Sequence, residues 1–458
     1  MKLALLPLFT SVMAGQPWCV VEKLATIQAA IDSCAAKGGG VAYVPPGQYT
    51  TGPLWLKDNV ELRLEAGAVV SLSQNAADWP AGAPALVNSR GAHNIAITGR
   101  GTLDGKAQYE YAPMRGLDVE IKDEIDIARK AGVEMKRYYR TGVQKYLVLL
   151  QDSRDIRVEG VRLINSPLWT LRLQDCDQVW IHGVYVYSDL EKGVNADGID
   201  IVSTSNVLIS DSIIITADDA ICLKADVFKN TGPGPRTARS TENITVTNSI
   251  LSSSSTAMVI GTETYADIRH VVFSNIVVRN SNRVFGINVQ DGGTVSDVRF
   301  QNITFDLNRR HWNWWGSADV FKFVLKKRSP ESPLGRIENI VIDGAHGTAR
   351  GTSVMQGYSE RPLKNITIKG LNIKMLAENT PDKRVSHAMT IERVQDLTLA
   401  DIAVDWDTQT PDPDWRSALV ITDIDGLIMS GFRGRAGIRD PSVPVIRKKR
   451  VIDSPIAQ

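Results

Sequence analysis

The sequence predicts an all-β fold, a right-handed parallel β-helix, in which the chain winds into stacked coils of short strands. A short motif recurs twelve times: a small or polar residue is followed by aliphatic residues at alternate positions. This alternation with a period of two indicates strands that bury one face. The copies begin at Asn59, Asn94, Asp155, Gln178, Asn206, Asn243, His270, Asp297, Asn339, Asn365, Asp396 and Gly426.

The spacing of the copies separates a β-helix from other repeat folds. From Asp155 onward, consecutive copies start 23 to 42 residues apart, so a unit of fixed short length carries insertions of variable length. Blades of a β-propeller take about 40 to 45 residues and repeat a Trp-Asp signature, and that repeat is missing here. We therefore predict coils whose aliphatic residues stack in ladders.

The exposed end of a solenoid needs a cover, and the sequence supplies one before the first copy. Leu24, Ile27, Ile31 and Cys34 fall at helical spacing in an alanine-rich segment that ends at three glycines, residues 38–40. We predict a helix that caps the N-terminal end of the β-helix.

The first 15 residues are predicted to be a signal peptide, because Lys2 precedes a dozen mostly apolar residues that end at Ala14. This stretch is too short to span a bilayer, which needs about 20 residues. An ordinary buried N-terminal segment is the alternative. Residues 16–458 are predicted to form a single β-helix domain in a secreted or periplasmic protein.

The amino-acid composition limits the classes of molecule that the protein is expected to bind. Of 458 residues, 43% are hydrophobic and 22% are charged, as in a soluble globular protein. The 52 basic and 51 acidic residues leave a net charge of +1, so no global field favours nucleic acid or an anionic membrane, and we predict neither as a partner.

The four cysteines, Cys19, Cys34, Cys176 and Cys222, lack the paired spacing of a zinc site, and we predict no metal and no cofactor. We interpret them as free buried thiols. A bridge between Cys19 and Cys34 is the alternative if the protein is exported.

The segment 195–224 carries the strongest chemical signal. Two acidic pairs, Asp197 with Asp200 and Asp218 with Asp219, begin 21 residues apart in the sequence. This separation is about one coil of such a solenoid, so we expect the two pairs to stack on adjacent coils. Paired carboxyl groups are what a glycosidase needs, one protonated as acid and another as base or nucleophile. For Asp200 the preferred interpretation is a turn cap.

With these residues in view, the chain resembles glycoside hydrolase family 28, the polygalacturonases and their relatives. The resemblance extends over most of the chain and is strongest at Asn195-Ala196-Asp197 and Asp218-Asp219. It implies that Asp218 is the general acid and that Asp197 and Asp219 activate water, with inversion at the anomeric carbon. It also implies that Asn195 and Lys224 contact the substrate, Lys224 through a substrate carboxylate.

Two elements of the family pattern are missing. Thr256 stands where the family has a histidine, and Gly286-Ile287-Asn288 stands where it has Arg-Ile-Lys, the pair that binds the uronate carboxylate. We predict Arg283 and Lys224 as replacement cations. Further predicted substrate contacts are Glu263, Asn288, Gln290, and the sugar-stacking rings Trp314 and Trp315, for which the alternative is a loop that packs its own aromatic residues against the solenoid.

Long insertions flank the predicted cleft and are expected to close it into a pocket. We therefore predict an exo-acting, inverting glycoside hydrolase that releases terminal galacturonosyl or related residues from pectic or related polysaccharide fragments. The alternatives are a polysaccharide lyase with Ca²⁺ held by Asp197, Asp218 and Asp219, and a noncatalytic carbohydrate-binding β-helix.

Overall fold

The protein is a right-handed parallel β-helix, as the motif predicts. The computed structural model describes residues 17–113, 122–134, 138–142, 144–227, 237–309, 315–381 and 383–454. Within these ranges, 33 strands join in one parallel sheet and two more form a small antiparallel pair. The predicted signal peptide, residues 1–15, lies outside the described residues.

The strands up to the first half of the chain are β1 Trp18–Val20, β2 Gly40–Val44, β3 Gly47–Thr51, β4 Leu54–Trp55, β5 Val60–Leu64, β6 Ala68–Leu72, β7 Ala85–Arg90, β8 His93–Gly99, β9 Thr102–Asp104, β10 Tyr111–Pro113, β11 Tyr139–Thr141, β12 Tyr146–Gln151, β13 Arg154–Glu159, β14 Arg162–Ile164, β15 Leu171–Gln174, β16 Asp177–His182, β17 Tyr185–Tyr187, β18 Ile199–Val202, β19 Ser205–Ser210, β20 Ile213–Thr216 and β21 Ile221–Ala225. The later strands are β22 Thr241–Ser253, β23 Thr256–Thr264, β24 Ile268–Ser281, β25 Arg283–Val289, β26 Thr294–Leu307, β27 Asp319–Leu325, β28 Arg336–Ala349, β29 Ser353–Gln356, β30 Leu363–Met375, β31 Met389–Ala400, β32 Ala403–Trp406, β33 Leu419–Ser430, β34 Arg433–Gly434 and β35 Ile446–Asp453. The helices are α1 Ile27–Ala36 and α2 Lys122–Lys130.

The recurring motif forms one face of twelve coils, and its copies pair in register. The second aliphatic residue of each copy stacks on that of the next, from Leu62 in the first copy to Met429 in the twelfth. Phe273 and Phe300 in this ladder stack with ring centroids 5.3 Å apart. The predicted aliphatic ladders are confirmed.

The first residue of the motif turns the chain from one face of the coil to the next. All twelve first residues have a left-handed backbone, with φ between 51° and 80°. Asparagine, aspartate and glycine tolerate this conformation better than other residues, which explains the composition of the motif. Several of these side chains also pair across coils: Asn243 donates to Asn206 at 3.0 Å and Asn365 donates to Asn339 at 2.9 Å.

The helix α1 covers the N-terminal coil, as predicted. Its buried residues Ile27, Ala30, Ile31 and Cys34 join the core of the solenoid. Thr26 caps its N-terminus by accepting a hydrogen bond from the backbone N–H of Ala29 at 3.1 Å.

The interpretation of all four cysteines as free thiols is wrong for two of them. Cys19 and Cys34 form a disulfide, with their Cα atoms 5.9 Å apart. Because β1 lies beside α1 in the same end cap, the bridge ties the first strand to the capping helix. Cys176 and Cys222 are free and buried.

The insertion between β9 and β12 forms its own small layer. It contains the antiparallel pair β10–β11 and the helix α2. Tyr138 in this insertion is buried, and Ile125, Val194 and Trp315 pack against it. Two insertions that are distant in sequence therefore meet beside the loop that carries Asp197. Among the described helices, none is long and apolar enough to cross a membrane.

Candidate active site

The acidic residues lie at a corner of the coil, directly before strands of one ladder of the sheet. Ile199 in β18 pairs with Ile221 in β21, so Asp197 and Asp219, each two residues earlier, occupy equivalent positions on adjacent coils. The backbone N–H of Gly198 donates to the carbonyl of Asp219 at 2.8 Å and continues this register into the turns. The predicted stacking of the two acidic clusters is confirmed.

A cavity of about 510 Å³ opens above these turns. Ten of the eleven predicted site residues line it, and the eleventh, Trp314, lies outside the described residues. The predicted residues on its wall are Asn195, Asp197, Asp218, Asp219, Lys224, Glu263, Arg283, Asn288, Gln290 and Trp315. The structure thus brings together residues from four successive coils, those of β18, β21, β23 and β25, and from the loop before β27.

Asp218 and Asp219 differ in their hydrogen bonds although they are neighbours in sequence. The Asp218 oxygens accept from two backbone N–H groups, Asn195 at 3.1 Å and Asp219 at 3.0 Å. Asp219 accepts from the Ser255 hydroxyl at 2.8 Å and from the Thr256 N–H at 3.1 Å. Burial is the largest cause, and the charge of Asp219 the second largest, that raises the pKa of Asp218 to about 7. A carboxyl group with that pKa holds a proton near neutral pH and is able to donate it.

Asp197 and Asp200 share one cation. The Lys224 ammonium lies 2.8 Å from Asp200 Oδ1 and 3.3 Å from Asp197 Oδ2. The interpretation of Asp200 as a turn cap is wrong, because this residue lies within β18, is fully buried, and binds Lys224. Burial is the largest cause that raises the pKa of both carboxyl groups, and the ammonium opposes it.

Arg283 is also engaged by a carboxylate of the protein. Its Nε and Nη2 donate to the two oxygens of Asp319 at 2.5 and 3.1 Å, and Nη1 lies 3.5 Å from Thr256 Oγ1. Thr256, Arg283 and Asp319 stack on three consecutive coils. Lys224 and Arg283 therefore line the cavity, but their charged groups contact Asp197, Asp200 and Asp319 rather than open space.

Further cations line the cavity. Arg328 binds both oxygens of Asp291, at 2.7 and 2.9 Å, and lies 3.8 Å from Glu263. Lys322 and Lys326 also line the cavity and are exposed to solvent. Lys322 pairs in register with Gly286, one coil earlier, in the stretch where the family pattern has its arginine and lysine.

Sequence analysis missed Lys322, Lys326 and Trp169. Lys322 lies between the buried residues Phe321 and Phe323, an alternation that marks an outward position, but the insertion before β27 hides its register with Gly286. Trp169 covers Lys224, whose ammonium lies 3.8 Å from the centre of the indole. No motif in the sequence marks that contact.

Fold and site together define a class: a parallel β-helix that holds a cluster of buried carboxyl groups in the wall of a polar cavity. The sequence profile of Glycosyl hydrolases family 28 matches residues 34–308, more than half of the chain. The chain belongs to this family and is a glycoside hydrolase.

Individual relatives are distant. A probable polygalacturonase of Vitis vinifera is 25% identical over 356 residues, covering 75% of this chain and 68% of that protein. An exo-poly-α-D-galacturonosidase of Dickeya chrysanthemi is 24% identical over 317 residues, which is 60% of this chain and about half, 51%, of that protein. The crystal structure of a hyperthermoactive exopolygalacturonase from Thermotoga maritima shares the fold, with a TM-score of 0.66, 21% identity, and coverage of 85% of this chain and 92% of that one.

Family membership excludes two alternatives that the sequence left open. A glycoside hydrolase is neither a lyase nor a noncatalytic binding protein. The site also differs from the Ca²⁺ site of the lyase alternative, because the ammonium of Lys224 contacts Asp197, one of the three proposed calcium ligands.

Proposed function

We propose that this protein is a secreted, exo-acting glycoside hydrolase that inverts the anomeric carbon and releases terminal uronate residues from pectic polysaccharide fragments. The observation that carries the proposal is the group of three carboxyl groups on the wall of one cavity, the buried Asp197 and Asp218 and the half-buried Asp219. The Dickeya chrysanthemi relative is an exo-poly-α-D-galacturonosidase, which supports the choice of substrate.

The proposed chemistry divides the three acids into one acid and two bases. Asp218, with its pKa raised to about 7, donates its proton to the glycosidic oxygen as the bond to the anomeric carbon breaks. Water attacks that carbon from the opposite face and passes a proton to Asp197 or Asp219. The turnover leaves Asp218 ionised and a base protonated, and exchange with solvent restores both.

The walls of the cavity support exo action. Trp315 lines the cavity and packs on Tyr138, while Val194 packs on the same ring from the loop before Asp197. Insertions from two parts of the chain therefore meet at one side of the site. A wall there blocks a continuing polymer chain but admits a terminal sugar, whose apolar face is able to pack on an indole.

The cation that meets the uronate is proposed to be Lys326. Lys322 and Lys326 both line the cavity, and Lys326 forms no ion pair with a carboxylate of the described residues. Lys224, Arg283 and Arg328 already bind carboxylates of the protein. A carboxylate on the sugar therefore finds its complement on the coil of β27, one coil beyond Gly286 and Asn288.

Secretion is part of the proposal. The disulfide between Cys19 and Cys34 supports an oxidising compartment, where such bonds persist. Mass spectrometry of protein from the culture medium tests this point, with cleavage after residue 15 expected. An uncleaved chain found inside the cell would contradict it.

Early products of hydrolysis test the reaction itself. Oligogalacturonides labelled at the reducing end should lose one sugar at a time, and proton NMR should show the inverted anomer in the first-formed product. A ladder of mid-sized fragments from the polymer would contradict exo action, and the retained anomer would contradict inversion. Oligosaccharides with a neutral terminal sugar serve as the matched control for the uronate.

A further inference from the structure

Lys224 is enclosed by the protein on three sides. It lies in β21, is 6% exposed, and contacts Asp200, Asp197 and the indole of Trp169 at 2.8, 3.3 and 3.8 Å. An ammonium has three N–H donors, and these three partners match their number. The geometry directs the charge of Lys224 toward the acids of the site and away from a ligand.

Asp200 lies below the cavity and does not line it. Its side chain is fully buried, so its contact with Lys224 is internal to the protein. Two carboxyl oxygens, Asp200 Oδ2 and Asp197 Oδ1, are buried and have no hydrogen-bond partner among the described residues. Among the described residues, Lys224 is the one cation that contacts both carboxyl groups.

We propose that Lys224 and Asp200 are positioning residues that set the charge of Asp197 from beneath the cavity. Lys224 favours the ionised form of Asp197, the form that accepts a proton from water. Asp200 competes for the same ammonium and so limits this effect. The inference rests on the proposed function, because it assigns Asp197 the role of a base.

Other charged and titratable groups act on the same cluster from the elements packed around it. Burial raises the pKa of Asp197, the charge of Asp200 raises it further, and Lys224 lowers it. The remaining groups that face Asp197, Asp200 and Lys224 are Asp218, Asp219, Arg172, Cys222 and Glu263, and Arg283 acts on the neighbouring Asp219. None of them is changed by the two substitutions proposed below.

The test is the pH dependence of kcat/KM in wild type, Lys224→Met and Asp200→Asn. Activity falls at low pH as the base is protonated, so with Asp197 assigned as the base, this acidic limb reports its pKa. Loss of the nearby cation should move the limb to higher pH, by about one to three units, the usual effect of an opposite charge at this distance. Loss of the competing anion should move it to lower pH. KM should stay nearly unchanged in both variants.

Lys326→Met provides a contrast, because it removes a positive charge from the same cavity. This variant should raise KM for a uronate substrate and leave the acidic limb in place. If Lys224→Met instead raises KM for uronate substrates alone, with an unmoved limb, Lys224 is a substrate contact and the inference is wrong. The inference is also wrong if the acidic limb of the pH profile moves in the same direction in Lys224→Met and in Asp200→Asn.

A second readout requires neither substrate nor turnover. Infrared difference titration of the carboxylate bands, with Asp197→Asn to assign the signal, should show the same opposite shifts in the two variants. If Lys224→Met fails to fold by circular dichroism, the Asp200→Asn shift still decides. Wild-type protein that titrates as expected but releases no sugar would refute the proposed function and leave the inference standing.

Discussion

Two corners of the same coil stack polar residues on top of one another, with opposite consequences. At the corner before several motif strands, exposed polar side chains pair across coils through amide donors, as when Asn339 donates to Asp297 at 3.0 Å and accepts from Asn365 at 2.9 Å. At the corner before β18 and β21, the stacked groups are the carboxyl groups of Asp197 and Asp219. Amides carry both donors and acceptors, whereas ionised carboxylates carry acceptors alone.

The difference shows how a repeated fold creates a reactive site. Stacking every coil at a spacing of about 4.8 Å brings like residues together at each corner. Where the stacked residues are exposed to water and donate hydrogen bonds to one another, this stacking stabilises the coil. At the wall of the cavity it places the carboxyl groups of Asp197 and Asp219 on adjacent coils. Burial there, and after it the charge of the sequence neighbour Asp219, raises the pKa of Asp218 to about 7. Stacking therefore stabilises one corner, and at the other corner it gathers carboxyl groups of which one is able to act as an acid.

The largest effect should come from removing the acid at the second corner. Asp218→Asn should lower kcat by about 10²-fold to 10⁴-fold on an unactivated glycoside, because an amide cannot donate the proton that the leaving oxygen needs. Steady-state release of reducing sugar measures it. A substrate with an acidic phenol as leaving group needs less protonation and should lose much less activity. Near-normal turnover of the unactivated glycoside in a folded variant would refute the assignment.

Charge on the coil of β27 should affect substrate recognition rather than chemistry. Lys322→Ala combined with Lys326→Ala should raise KM for oligogalacturonides by about 10-fold to 100-fold, the range of one or two hydrogen bonds to a charged group. The change in kcat should be small, and fragments with a neutral terminal sugar should show little change in KM. An equal effect on neutral and uronate substrates would contradict a charge contact.

The fold and the acids were predictable from the sequence, but the partners of the acids were not. The period-two motif depends only on neighbouring residues, and the 21-residue separation of Asp197 and Asp218 lies within one uninterrupted coil. Asp200 looked like a turn residue because the ammonium that it binds lies 24 residues away. Arg283 meets Asp319 across an insertion of irregular length, so no spacing rule predicts their register.

The buried acid should also alter the pH dependence of stability. A carboxyl group whose pKa is higher in the folded state than in the unfolded state weakens folding as pH rises, here between about 4 and about 7 for Asp218. Asp218→Asn cannot ionise, so its Tm relative to wild type should improve between pH 4 and pH 8, by on the order of a few degrees. Scanning calorimetry at both pH values measures this. If the Tm of Asp218→Asn differs from that of wild type by the same amount at pH 4 and at pH 8, ionisation of Asp218 does not destabilise the folded protein.

The smallest effect should come from one residue of the exposed amide corner. Asn339 has a left-handed backbone, with φ of 57°, and bridges Asp297 and Asn365. Asn339→Ala should lower the free energy of unfolding by about 1 to 2 kcal/mol, because alanine tolerates this backbone poorly and makes neither hydrogen bond. Asn339→Gly separates the two causes, since glycine accepts the backbone without strain and loses only the hydrogen bonds. Urea unfolding compares the three proteins, and alanine should be the least stable, glycine intermediate. Activity should match wild type in both variants, because this corner lies on a different ladder from the acids. A loss of activity without loss of stability would show that the two corners are coupled, and would contradict their separation.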